Sequence, residues 1–307
     1  MSTSSGQKAG AAGERMLEVL REVLDLTGRA ARRRYEPSFW APRPDSPFGA
    51  DLSNTEVDVH GQPWGPDEPT MAFEMARLSI LLIDDSLTSI DKLLAPPFPP
   101  LPMYGQEVLA RSVLESAGFA FWLMDPQITV RQRVARTYLH FWEAAATAVK
   151  NANVVGSTQD ITGAQAHLAS ILRRVDELGL GHGKNNGKTT IGGEQLPSKT
   201  ARVTAVLAGK VRGGYKIVYS VYSGVAHGEM TGIMSRRLDP PASGMQPVMT
   251  ITPRQLLGNV ELAAAAFGQL QDRLCRGGMG SSPLEVANRL WEHNVGRRLH
   301  AIRSRLV

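Results

Sequence analysis

Tyr219, Ser223 and His227 carry the side chains best suited to chemistry in this 307-residue sequence. On a helix through residues 214–227, Lys216, Ser220, Ser223 and His227 fall at i, i+4, i+7 and i+11 and share one face. Tyr215, Val218, Tyr222 and Ala226 line the neighbouring face. An imidazole titrates close to neutral pH, and the negative end of a helix dipole favours its charged form, so His227 is suited to moving a proton. The same residue, next to Gly228, also reads as a packed C-terminal cap.

A second segment, residues 108–122, is almost wholly apolar apart from the i, i+4 pair Arg111 and Glu115. Charge in such a setting survives only when paired and hydrogen-bonded. The pair is therefore either an internal salt bridge that organises a bundle or a device in which Glu115 orients His227.

Other chemistries lack their residues. The seven histidines are scattered and no H-E-x-x-H pattern occurs, so no metal site and no cofactor is expected. Cys275 stands alone and cannot form an internal disulfide, which fits a reducing compartment. The stretch 181–189 imitates a phosphate-binding loop but has His182 where the pattern needs glycine, and it reads as a basic loop. Ser223 and His227 lack the strand–turn–helix elbow of a serine nucleophile. No apolar segment reads as a signal peptide or a membrane span, so a cytoplasmic location away from membrane is expected.

The elements that must position these residues read as helices. Four capping boxes are expected, at Thr129 with Gln132, Thr162 with Gln165, Thr252 with Gln255 and Ser282 with Glu285, the last two followed by proline at the first helical position. Periodicity between them gives helices near 14–34, 70–94, 104–124, 130–152, 163–178, 198–209, 214–227, 253–276 and 283–305. The fold class is thus all-α, a bundle of eight or nine helices with at most one short β-hairpin near 231–252. Residues 1–13 read as a disordered N-terminus, 14–69 as a helix with a proline-rich connection, and 70–307 as the bundle domain. The aromatic residues Phe39, Trp40, Phe48 and Trp64 read as anchors holding that connection across the bundle. The net charge of +5 tolerates an anionic partner without requiring one.

Taken together, Arg111-x-x-x-Glu115, Trp122, the run Arg131, Arg133, Arg136 and Tyr138, then Ser198 and Thr200, and Tyr219-x-x-x-Ser223-x-x-x-His227-Gly228 resemble a group of bacterial all-helical proteins distantly similar to the HEPN superfamily. The resemblance covers about residues 104–235. It implies an RNA partner and, for the nuclease members, metal-independent RNA cleavage of a toxin or phage-defence type. His227 would then transfer the proton, with Arg111, Glu115, Tyr219 and Ser223 around it, and Arg131, Arg136 and Lys216 would hold RNA. The nuclease pattern Arg-x4–6-His is missing here, since Ser220, Val221 and Tyr222 stand where its arginine belongs. Arg133 and His140 meet the spacing, as an arginine-rich chain does by chance. The second reading is a non-catalytic interaction module, with a homodimer among its forms.

Overall fold

A computed structural model of the chain describes residues 3–95, 104–208, 219, 222, 224, 253–280 and 282–306. Among them are nine α-helices: α1 (Thr3–Arg32), α2 (Pro47–Leu52), α3 (Asp67–Leu93), α4 (Gly105–Leu123), α5 (Val130–Val155), α6 (Thr158–Glu177), α7 (Lys199–Leu207), α8 (Pro253–Arg276) and α9 (Ser282–Leu306). The all-α class holds. No helix among the described residues is long and apolar enough to cross a membrane.

Two departures have local causes. The box expected at Thr162 lies a turn too late: α6 is capped by Ser157 with Asp160 as its reciprocal partner, and Thr162 sits inside the helix with its hydroxyl on the Thr158 carbonyl. Residues expected to be loop form a three-stranded antiparallel sheet of β1 (His182–Asn185), β2 (Lys188–Ile191) and β3 (Glu194–Gln195). Its first turn is Asn186-Gly187 with φ of 51° and 76°, the left-handed pair that a two-residue hairpin needs. The hairpin expected near 231–252 lies outside the described residues.

α4 is the axis of the larger core. Ala110, Val113, Leu114, Ala117 and Ala120 are fully buried and pack it against α3, α7 and α8. A methyl group on Gly118 would meet the Arg202 backbone at 3.0 Å, so the missing side chain lets α7 lie directly on α4. Phe39 and Phe48 are sealed into this core, which makes the proline-rich connection a strap fixed by its aromatic residues. A second, smaller core joins α5, α6, β2 and Trp64.

α5 is tied to both cores through its arginines. Arg133 is completely buried, with Nε 2.6 Å from Asp51 Oδ2 and its remaining nitrogens on the carbonyl oxygens of Leu123 and Asp125. Those carbonyls belong to the end of α4, where a helix leaves acceptors unsatisfied. One side chain thereby joins α2, α4 and α5.

Candidate functional site

Arg111, Glu115 and Phe119 stand at successive i+4 steps on α4, and Lys199 and Arg202 share a face of α7 at i, i+3. The close packing of these helices around Gly118 brings the two rows together. Arg111 Nε lies 2.5 Å from Glu115 Oε1, and Tyr219 Oη donates to the same oxygen at 3.0 Å. Lys199 Nζ lies 3.0 Å from Glu115 Oε2. One carboxylate therefore receives donors from α4, α7 and the segment that carries Tyr219.

The electrostatics follow from that geometry. Burial pushes the Glu115 carboxyl up, but the hydrogen bonds from Lys199 and Arg111 outweigh it and hold the group below the ordinary carboxylate range. The Tyr219 hydroxyl is pushed up to about 12, first by burial and then by the Glu115 charge it faces. At neutral pH the pair is a carboxylate and a neutral phenol, neither of them near the midpoint that proton transfer favours. Tyr222 is buried and donates to Asn259 Oδ1 on α8, so the described part of this segment is held from two sides.

Of the residues that the sequence pointed to, Arg111, Glu115 and Tyr219 are thus together. Lys216, Ser223 and His227 lie outside the described residues. Arg131 and Arg136 sit elsewhere and are engaged. Arg131 Nη1 bonds Glu56 at 3.0 Å, its other terminal nitrogen bonds the Gly179 carbonyl, and its guanidinium lies over the Trp64 ring. Arg136 bonds Glu194 at 2.8 Å and the Trp122 carbonyl at 2.6 Å while stacked on the Trp122 ring. Both join secondary-structure elements as Arg133 does.

Two residues of the neighbourhood, Lys199 and Arg202, escaped the sequence reading, and a third, His140, entered it only through its spacing from Arg133. Lys199 and Arg202 fall three residues apart within the expected helix 198–209, a spacing that marks a shared basic face. Arg202 lies 5.5 Å over the Phe119 ring and makes no hydrogen bond or ion pair among the described residues. His140 packs on the same ring, 4.5 Å between centroids, and its Nδ1 is buried with no partner among the described residues. Burial lowers the His140 pKa; Glu143 opposes the shift and Arg202 adds to it. The ring is accordingly neutral at pH 7.

Comparison with family models, with curated proteins and with solved structures returns no match.

Proposed function

We propose that the chain is a non-catalytic helical interaction module in which the Arg111–Glu115–Lys199–Tyr219 cluster fixes the register of α4, α7 and the following segment. The observation that carries this reading is the engagement of Glu115 by three donors from within the chain. Its two oxygens take three donors and its pKa is held down, so it lacks the basicity to take a proton from a neighbouring histidine. The engagement of Arg131 and Arg136 with carboxylates points the same way. Self-association is one form of this reading, and light scattering on the full chain tests it.

The decisive assay incubates wild type with structured and single-stranded RNA without added metal. The module reading expects no cleavage, and it expects His227→Ala to lower stability by about 0.5–2 kcal/mol, as loss of a cap does. Cleavage that His227→Ala abolishes without a change in melting temperature would overturn it.

One observation favours the second reading, an RNA-directed ribonuclease of the HEPN kind. Arg202 and His140 both contact Phe119, and a cation with a neutral imidazole in one neighbourhood is the pairing that phosphate stabilisation and proton transfer call for. RNA cleavage by wild type that Arg202→Ala and His140→Ala each remove would establish it.

A further inference from the structure

The small sheet is fastened to α5 near the start of that helix. Glu194 on β3 accepts from Gln132 at 2.9 Å and from Arg136 at 2.8 Å, and a methyl group on Gly192 would stand 2.8 Å from the Ala135 Cβ. One to two turns further along α5, the Asn186-Gly187 hairpin tip leaves a cavity of about 240 Å³ between sheet and helix. We propose that this cavity binds a free α-amino acid with an apolar side chain. The inference does not depend on the role given to the Glu115 cluster.

The lining combines an apolar floor with two opposite charges. Leu139, Trp142 and Leu196 form the floor, and Trp142 and Leu196 are only half-buried, so they present surface to a ligand. Leu139, Trp142 and Glu143 fall at i, i+3 and i+4 on α5, which puts floor and carboxylate on one helix face. Lys188 and Thr189 meet them from β2. Glu143 and Lys188 are both exposed, and neither makes a hydrogen bond or ion pair, with the other or with any other described residue. Arg202 and His140 feel the Glu143 charge, yet neither bonds it.

These walls select by elimination. An anion alone would meet Glu143, a cation alone would meet Lys188, and a neutral molecule would take water from both charges without replacing it. A zwitterion answers both walls: its ammonium suits Glu143 beside the indole of Trp142, and its carboxylate suits Lys188 and the Thr189 hydroxyl. The floor then asks for an apolar side chain. The volume lies just below the range of ordinary small-molecule sites, about 300–1,000 Å³, which fits a single amino acid rather than a peptide or a nucleotide.

Calorimetric titration of the full chain with L-leucine, leucinamide and 4-methylpentanoate tests the proposal, since the second ligand lacks the carboxylate and the third lacks the ammonium. The expected result is saturable binding of leucine, several-fold tighter than that of either analogue. Glu143→Gln should weaken leucine and leucinamide several-fold and spare 4-methylpentanoate, whereas Lys188→Met should weaken leucine and 4-methylpentanoate and spare leucinamide. Both side chains are exposed, so both variants should melt close to wild type. No saturable heat with leucine, equal affinity for the three ligands, or variants that weaken all three alike would overturn the proposal.

Discussion

The two polar regions of this protein differ in how they are closed. In the Glu115 cluster and around Arg133, Arg111, Lys199 and Arg133 each meet a carboxylate within the chain, and the guanidinium of Arg133 is used on three oxygens at once. Around Trp291, the Gln271 amide and the indole N–H are buried with no acceptor among the described residues, and Arg33 and Arg289 make no ion pair there, although Arg276 pairs with Asp272 and Arg29 with Asp25. A closed network sets helix register and offers nothing to a ligand. An open one leaves buried donors whose cost the rest of the fold must offset. The contrast matters because titratable residues inside an apolar bundle suggest a site by type alone, and their partners decide otherwise.

The largest expected effect comes from opening the closed side. Asp51→Ala leaves the Arg133 guanidinium buried without its counter-ion and should cost about 3–5 kcal/mol of unfolding free energy in denaturant titration. Arg133→Met combined with Asp51→Leu should recover much of that loss, since an apolar pair of similar volume removes the stranded charge. Recovery would show that the pair serves architecture; its absence, that the arginine is needed for another reason.

A smaller effect should come from acid. The His140 pKa is lowered in the folded protein, so below the ordinary histidine value, about 6.5, the unfolded chain binds the proton more readily. Stability from the neutral ring is therefore present above that value and falls as pH drops through it. His140→Phe should flatten the dependence of melting temperature on pH between neutral and mildly acidic buffer. An unchanged slope would place the acid sensitivity elsewhere.

The open side should respond least. Arg289→Gln removes an exposed side chain with no ion pair among the described residues and should change the melting temperature little, by less than about 0.5 kcal/mol of stability. A large loss of stability would mean that this region is part of the closed architecture, and the contrast between the two regions would fail.

Much of the fold was legible because helix starts are written locally. Thr129 with Gln132 forms the expected box, and α8 begins at Pro253 as its sequence indicates. Ser157 was overlooked because its reciprocal partner is Asp160, shorter than the Glu or Gln that the pattern seeks, yet it closes the same two bonds. The small sheet was overlooked because its first strand is fully exposed and shows no alternation, although Asn186-Gly187 carried the hairpin signal.

The site was legible in part for the same reason. Arg111 and Glu115 are one turn apart and could be paired from spacing. Their bond to Tyr219 spans 104 residues, and the links of Arg131 to Glu56 and Arg136 to Glu194 depend on packing that no local pattern encodes. Arginines spaced for a phosphate and arginines spaced for three separate carboxylates look alike in sequence.

The central claim, that the Glu115 cluster holds structure rather than chemistry, is tested most directly by Glu115→Gln, melted beside wild type with both proteins assayed on RNA. The substitution nearly preserves shape but removes the charge that Arg111 and Lys199 neutralise, and it should lower stability by about 1–3 kcal/mol, with no RNA cleavage by either protein. An unchanged melting curve, together with cleavage by wild type that the variant has lost, would contradict it.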